Sequence, residues 1–137
     1  MKKILLIEDE TNIRAMYAEV LREDKFEVIE VAEGMSGWRV AQEKDWDLLL
    51  LDIMLPTMDG IELLRKIKGR EDLKLKPVVV VSNLGDENVK KTCMELGAKD
   101  FLVKSDIKPE DVLLTVKKYV SNKKEQASDL VVQTDYV

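Results

Sequence analysis

The chain has 137 residues, of which 45% are hydrophobic and 36% are charged, a composition typical of one soluble globular domain. Its formal net charge of −5 argues against direct binding to nucleic acid, which requires a basic surface. The sequence contains no histidine, which excludes histidine-based nucleophile systems and imidazole metal sites. Any bound metal would be held by oxygen atoms, as magnesium, calcium and manganese are.

The single cysteine, Cys93, excludes an internal disulfide and fits the reducing cytoplasm, where we expect the protein to be located. Cys93 falls on the apolar face of a predicted helix, so we expect it to be buried rather than reactive. No apolar run has the length of a signal-peptide core or of a membrane span, and we expect no membrane partner.

Five short apolar segments predict β-strands, and a segment with helical periodicity follows each of them. The strands are predicted over 3–7, 27–31, 48–51, 77–81 and 99–103. The residues that define the inward faces of the five helices are Ile13, Met16, Tyr17, Val20 and Leu21; Trp38 and Ala41; Ile61, Leu64 and Ile67; Val89, Cys93 and Leu96; and Val112, Leu113, Val116 and Val120. The second helix is predicted over 35–43, Gly97 is expected to end the fourth, and Pro109 is expected to open the fifth.

Alternating strands and helices predict a parallel sheet with helices on both faces. The continuously apolar strands, above all the four leucines over 48–51, belong in the centre of the sheet. This pattern favours a (βα)5 doubly wound α/β fold of the flavodoxin-like class, with strand order 2-1-3-4-5. We expect this domain to occupy residues 1–120, and residues 121–137 to be a C-terminal tail or a linker stub.

Acidic residues follow the first and third predicted strands. Asp52 comes directly after the four leucines, and Glu8 and Asp9 follow the first strand. Because these strands are neighbours in the predicted order, the three carboxylates should converge at the carboxyl end of the sheet, where α/β proteins form sites. Such a cluster repels itself unless a cation lies within it, and an all-oxygen set suits Mg²⁺. The backbone carbonyl of Met54 is a candidate for a further oxygen ligand.

Two more strands are predicted to end at the same edge, in side chains that bind anions. Ser82 follows the fourth strand and Lys104 follows the fifth. A phosphoryl group on Asp52 would find the Ser82 hydroxyl, the Lys104 ammonium and Mg²⁺ around its oxygens. Carboxylates act as phosphoryl acceptors in other proteins, so this arrangement predicts phosphorylation of Asp52.

The same residues carry a resemblance to a known family. They are the pair Glu8 and Asp9; Asp52 with Pro56, Met58, Asp59 and Gly60; Ser82; the run 97–101; and Lys104. Over about residues 2–120 the chain resembles the receiver domain of bacterial two-component response regulators. The resemblance implies that Asp52 is the phosphoacceptor and that Ser82 and Lys104 bind the phosphoryl group.

The resemblance also implies a metal site and a switch. Mg²⁺ would be held by Glu8, Asp9, Asp52 and the Met54 carbonyl. Ser82 would move toward the phosphoryl group, and the aromatic ring of Phe101 would turn inward with it. The outward residues near the fourth helix, which are Lys90, Lys91, Glu95 and Lys99, are expected to meet partners.

Three positions depart from the usual family pattern. Asn83 stands where a small residue usually follows the serine or threonine. Ser105 stands where a proline with a cis bond usually follows the lysine, so we expect the loop after the fifth strand to be rearranged. Phe101 replaces a tyrosine, which removes any signal through a ring hydroxyl.

We therefore predict a phosphorylation-activated switch that catalyses only its own phosphorylation and dephosphorylation. A sensor histidine kinase or a histidine phosphotransfer protein must supply the phosphoryl group, because this chain has no histidine. A downstream protein is the expected target, and the protein is expected to be a monomer or a phosphorylation-linked dimer. After residue 121 there is no room for a DNA-binding domain, so we expect a stand-alone regulator or a receiver cut from a longer protein.

Three alternatives use the same residues differently. An aspartate-nucleophile phosphatase requires a second aspartate two residues after the first, where this chain has Met54. A flavodoxin-like cofactor binder requires a phosphate loop after the first strand, where acidic residues would repel the phosphate. A receiver-like scaffold that acts without phosphorylation is kept open by Asn83 and Ser105.

Overall fold

The computed structural model describes residues 1–83 and 85–120 and contains five strands, each followed by a helical segment. The strands are β1 (Lys3–Ile7), β2 (Glu27–Val31), β3 (Leu48–Leu51), β4 (Val78–Ser82) and β5 (Asp100–Val103). The helices are α1 (Thr11–Glu23), α2 (Gly34–Glu43), α3 (Gly60–Lys68), α4 (Glu87–Glu95) and α5, which runs over 109–120. Residues 121–137, for which a tail or linker stub was predicted, lie outside the described residues.

All strand pairs are parallel, and the sheet order is β2-β1-β3-β4-β5. The predicted flavodoxin-like (βα)5 doubly wound fold is therefore confirmed. β3 lies at the centre, and its four leucines are at most 1% exposed. Such complete burial is possible because helices cover both faces of a parallel sheet.

Successive residues of a strand point to opposite faces, so each strand supplies two cores. Leu49 and Leu51 pack with residues of α2, α3 and α4 on one face. Leu48 and Leu50 pack with residues of α1 and α5 on the other face. The two cores hold the central strands rigidly and thereby fix the positions of the residues that follow them.

Three strand boundaries differ from prediction by one residue. β4 begins at Val78 rather than at Pro77, because proline has no N–H to donate to the ladder. The Pro77 carbonyl still accepts a hydrogen bond from the Leu49 amide, at 3.0 Å. β4 also includes Ser82, which was predicted to be the first residue of a loop, and β5 begins at Asp100 rather than at Lys99.

The inward face of α1 was predicted with one error. Met16 is 43% exposed, whereas Ala18, which the prediction omitted, is buried together with Tyr17 and Leu21. Other residues of the inward-face predictions are buried or partly buried, including Val20, Leu96 and Leu113. The buried position of an alanine is difficult to predict from sequence, because alanine is common on both faces of a helix.

The helix ends follow the expected chemistry. The side chain of Asp86 accepts a hydrogen bond from the Asn88 amide at 2.7 Å at the start of α4. Gly97 follows α4 with a φ of +106°, a conformation that favours glycine, as predicted for the C′ position. Cys93 on α4 is fully buried, and burial raises the pKa of its thiol, in agreement with the predicted packing role.

The loop after β5 forms one turn of 3₁₀ helix, Lys104–Asp106. No peptide bond among the described residues is cis, so the bond between Lys104 and Ser105 is trans. Within the described part of the chain, no helix has both the length and the apolar character that a membrane crossing requires.

Candidate functional site

Three carboxylates meet at the carboxyl end of the sheet. Ile7 and Leu51 are paired in register, so the next residues of the two strands, Glu8 and Asp52, lie side by side. One oxygen from each of Glu8, Asp9 and Asp52 lies within 4.8 Å of the others. Glu8 and Asp52 are only 2% and 4% exposed, whereas Asp9 is exposed. The cluster therefore has a buried base and an open side.

Lys104 reaches into this cluster from the end of β5. Its ammonium forms ion pairs with Glu8 Oε1 and with Asp52 Oδ2, the latter at 3.2 Å. The Lys104 side chain is 6% exposed, so both ion pairs are shielded from water. One buried cation thus serves two buried carboxylates, and the group keeps a net negative charge when both carboxylates are ionised.

The protonation of the cluster reflects the excess of buried carboxylates over buried ammonium groups. Burial and the neighbouring negative charge of Glu8 raise the pKa of Asp52 to about 7, although Lys104 opposes the change. Burial alone would lower the pKa of the Lys104 ammonium, but its hydrogen bond to Glu8 and the charge of Asp52 outweigh burial and raise that pKa. An added cation would favour the ionised form of Asp52.

The donor set fits a hard divalent cation. All three clustered side chains offer carboxylate oxygens, the ligands that Mg²⁺ prefers, and exposed Asp9 leaves room for the waters that Mg²⁺ keeps. Glu8 is already engaged at both oxygens, since Oε2 accepts a hydrogen bond from the Glu10 amide at 3.0 Å. Asp52 Oδ1 accepts from the Met54 amide at 3.3 Å, which places the Met54 backbone beside the cluster.

The open side of the cluster leads into a depression. Its volume is about 510 Å³, and Asp9, Ile53, Met54, Leu55, Pro56 and Asp59 line it. The Met54 side chain is 58% exposed at this opening. A group that approaches Asp52 from solvent therefore meets the β3–α3 loop and Asp9.

Ser82 and Phe101 lie on the neighbouring strands. Ser82 ends β4, is fully buried and pairs in register with Val103, the residue before Lys104. Phe101 is 7% exposed and belongs to the core on the α2, α3 and α4 face. Ser82 lies two residues beyond Val80 of that same core, so strand alternation places Ser82 and Phe101 on one face of the sheet.

Two residues of the β3–α3 loop matter more than their sequence signals indicate. Gly60 carries part of the family resemblance, and the structure shows that packing requires it: an added Cβ would lie 2.2 Å from the Asp52 carbonyl oxygen. Thr57 has a φ of +68°, and its hydroxyl accepts a hydrogen bond from the Met35 amide at 2.9 Å. This hydrogen bond connects the loop to the first turn of α2, and no local pattern in the sequence predicts the contact.

Arg14 and Tyr17 of α1 were also missed as neighbours of the site. Arg14 donates a hydrogen bond to the Glu8 carbonyl at 2.8 Å and so fixes the start of the loop after β1. Tyr17 was predicted as a core residue, but its hydroxyl also interacts electrostatically with Lys104 and Glu8. Burial raises the pKa of that hydroxyl. The i, i+3 spacing of Arg14 and Tyr17, which puts them on one side of α1, is the only sequence signal for this shared role.

The fold and this site together define a class: a doubly wound α/β protein with buried acidic residues and a lysine at the carboxyl end of its sheet. A family model described as the response regulator receiver domain matches residues 4–117. The chain belongs to this family, whose members are signalling switches rather than conventional enzymes.

Individual relatives agree with this assignment. The transcriptional regulatory protein SrrA of Staphylococcus aureus is 34% identical over 115 residues, which cover 84% of this chain and 46% of SrrA. The chain therefore spans less than half the length of this relative.

Two solved structures are similar over nearly the whole domain. A CheY-like receiver domain protein from Methanospirillum hungatei has a TM-score of 0.85 at 25% identity, covering 92% of this chain and 98% of that one. The Mn²⁺-bound form of response regulator Rcp1 has a TM-score of 0.78 at 29% identity, covering 87% of this chain and 94% of that one.

Proposed function

We propose that this protein is a phosphorylation-activated switch in which Asp52 accepts a phosphoryl group from a partner histidine kinase or a histidine phosphotransfer protein. The observation that carries the proposal is the buried Asp52 carboxylate, with two further carboxylates within 4.8 Å and the Lys104 ammonium at 3.2 Å. The partner must bring the phosphohistidine because this chain contains no histidine. Membership of the receiver family supports the same chemistry.

The transfer step requires an ionised Asp52. A carboxylate oxygen attacks the phosphorus, the new P–O bond forms, and the P–N bond to the donor imidazole breaks. The imidazole keeps the bonding pair and takes up a proton from solvent. Lys104 supports the step because its ammonium already lies beside Oδ2 and can donate to a phosphoryl oxygen as negative charge gathers there.

Glu8, Asp9, Asp52 and the Met54 carbonyl would hold Mg²⁺ in this proposal. When bound, Mg²⁺ supplies positive charge that offsets the repulsion between an incoming phosphoryl group and the carboxylates. The existence of a Mn²⁺-bound form of the similar response regulator Rcp1 is in keeping with a divalent cation in this proposal. Asp9 is the ligand we expect to be most accessible, because Glu8 is held by Lys104 and the Glu10 amide.

The signal would pass from the site to the α4, β5 and α5 side of the molecule. Ser82 and Lys104 would bind the phosphoryl oxygens, and Phe101 would repack as Ser82 moves. Lys90, Lys91, Glu95 and Lys99 are exposed on this side and are available to a downstream protein target. We expect a cytoplasmic protein that is a monomer or dimerises on phosphorylation.

The catalytic activity of the protein would be limited to its own phosphorylation and dephosphorylation. A phosphatase with an aspartate nucleophile needs an acid two residues later, and Met54 at that position cannot transfer a proton.

Intact-mass measurement with a small phosphodonor tests the proposal. The full chain is incubated with acetyl phosphate and Mg²⁺, and we expect the wild type to gain one phosphoryl group. Asp52→Asn should gain none, while Asp45→Asn, which changes an exposed aspartate far from the site, should match the wild type. No gain in the wild type would support the scaffold alternative and reject the switch.

The metal part of the proposal has its own test. Mg²⁺ should raise the melting temperature of the unphosphorylated wild type, because a ligand that binds only the folded state stabilises it. Asp9→Ala should lose most of this increase, and Asp45→Ala should keep it. An equal increase in all three proteins would remove Asp9 from the metal site.

A further inference from the structure

A second cavity opens at the amino end of the sheet. Lys99 immediately precedes β5 and Lys104 immediately follows it, so this cavity lies at the opposite end of the strand from the acidic cluster. Its volume is about 330 Å³, within the range of small-ligand pockets. Its lining residues are Lys68, Lys74, Leu75, Leu96, Gly97 and Lys99.

The lining has three lysines and no acidic residue. Lys74 is paired with Glu71 at 2.9 Å. Among the described residues, no carboxylate lies within ion-pair distance of Lys68 or Lys99. Within the part of the chain that the structure describes, these two positive charges therefore have no carboxylate partner, although the net charge of the chain is −5.

Lys68 is fixed in place rather than extended into solvent. Its ammonium donates hydrogen bonds to the carbonyls of Lys74 and Lys76, at 3.1 and 3.2 Å. Lys68 and Lys99 line the same cavity, and burial together with the positive charge of Lys99 lowers the pKa of Lys68. An anion between them would favour the charged form of Lys68.

The rest of the cavity is apolar. Leu75 is 80% exposed, an unusual degree of exposure for a leucine in this chain, and Leu96 faces the same cavity while half-buried. Gly97 leaves the floor without a side chain beside the stem of Lys68. A ligand with an anionic group and a small apolar part matches both halves of this lining.

We propose that this cavity binds a small phosphorylated molecule, with its phosphate between Lys68 and Lys99 and its apolar part against Leu75 and Leu96. Lysine is a common phosphate ligand, and a dianion neutralises two lysines. The site is separate from the acidic cluster, which repels anions unless a cation is bound.

Titration of the full chain with phenyl phosphate in Mg²⁺-free buffer tests the proposal. We expect saturable changes in the amide NMR signals of Gly97 and Lys99, at lower concentrations than with inorganic phosphate, because the ring contacts the leucines. Phenol, which has the ring without the charge, should produce no such change. Absence of saturation with phenyl phosphate at these two amides would overturn the proposal.

Matched variants locate the site. Lys68→Gln combined with Lys99→Gln should weaken binding about tenfold or more, since both charge-assisted hydrogen bonds are lost. Lys99→Gln alone, at an exposed position that the fold does not need, should show part of that loss. Lys90→Gln combined with Lys108→Gln removes the same charge elsewhere and should leave binding unchanged.

Asp52→Asn separates this site from the phosphorylation site. Binding of phenyl phosphate should be unchanged in Asp52→Asn, whether or not the proposed switch function is correct. Loss of binding in that variant, or unchanged binding in the Lys68 and Lys99 double variant, would contradict the assignment of the cavity.

Discussion

At the carboxyl end of the sheet, the Lys104 ammonium forms ion pairs with the carboxylates of Glu8 and Asp52. The three side chains are at most 6% exposed. At the amino end, Lys68 and Lys99 lie around an open cavity with like charges and no paired carboxylate among the described residues. The first region is closed by its own ion pairs, whereas in the second the Lys68 ammonium is held by hydrogen bonds to the backbone carbonyls of Lys74 and Lys76.

This difference in charge pairing predicts where a substitution should lower stability. Buried charges that depend on one another lose much when a partner is removed, whereas exposed charges lose little. The carboxyl end should therefore respond strongly to single substitutions, in stability as well as in function. At the amino end, single substitutions should leave stability nearly unchanged and should alter only ligand binding.

Among the substitutions predicted for these two regions, Gly60→Ala should cause the largest loss of stability. Gly60→Ala places a Cβ 2.2 Å from the Asp52 carbonyl oxygen, and backbone must shift to accept it. We expect a loss of roughly 3–5 kcal/mol in the free energy of unfolding, measured by urea denaturation. Gly97→Ala at the amino end should cost about 1–2 kcal/mol, because it strains φ but meets only the flexible stem of Lys68. Equal losses of unfolding free energy in Gly60→Ala and Gly97→Ala would contradict the predicted difference between the two ends of the sheet.

Removal of the shared cation should be the next largest effect. Lys104→Met leaves Glu8 and Asp52 buried without a cation, and we expect a loss of about 2–4 kcal/mol at pH 8. The loss should shrink at pH 5, where Asp52 takes up a proton. Lys108→Met, at an exposed position, serves as the control in the same urea experiment. A loss that does not depend on pH would show that packing of the lysine stem, rather than its charge, is responsible.

Neutralisation of Asp52 should act in the opposite direction. The pKa of Asp52 is raised from 3.8 to about 7 in the folded protein, so the wild type loses stability as the pH rises through that interval. Asp52→Asn lacks this titration and keeps an oxygen for the Met54 amide. We expect it to match the wild type near pH 4 and to exceed it by about 1–2 kcal/mol above pH 7 without Mg²⁺.

Thermal or urea unfolding at a series of pH values measures this difference. Asp45→Asn, an exposed change, should follow the wild type at every pH. If Asp52→Asn were less stable than the wild type above pH 7, the prediction would be contradicted. The stabilisation from the ion pair with Lys104 would then exceed the cost of burial and of repulsion from Glu8.

The smallest effect is expected at Lys99. Lys99→Gln should change the free energy of unfolding by less than about 0.5 kcal/mol, because the side chain is exposed and has no paired carboxylate among the described residues. Reduced repulsion with Lys68 should make any change a slight gain in stability. A loss above 1 kcal/mol would show that Lys99 belongs to the fold and would weaken the contrast between the two ends.

Much of the fold follows directly from sequence periodicity. The four leucines of β3 predicted a central strand, and the alternation of strands and helices predicted the sheet order that the structure shows. The convergence of Glu8, Asp9 and Asp52 followed from that order, since it depends only on which strands are neighbours. These inferences succeed because burial of a continuous apolar strand leaves few arrangements.

The remaining features depend on contacts between distant segments. The sequence placed Lys104 at the right edge but did not reveal that its ammonium pairs with Glu8 as well as Asp52. It also did not predict that Gly60 packs against the Asp52 carbonyl or that Thr57 is hydrogen-bonded to α2. Such contacts are set by side-chain reach and close packing, which local patterns do not record.

The identity of the phosphorylated residue distinguishes Asp52 from every other candidate phosphoacceptor. After reaction with acetyl phosphate and Mg²⁺, borohydride reduction converts a phosphoaspartate into homoserine, and peptide mass spectrometry locates that residue. We expect homoserine at position 52 and at no other aspartate. Homoserine at position 9 or 59, or its absence from a phosphorylated protein, would contradict the assignment of Asp52 as the phosphoacceptor.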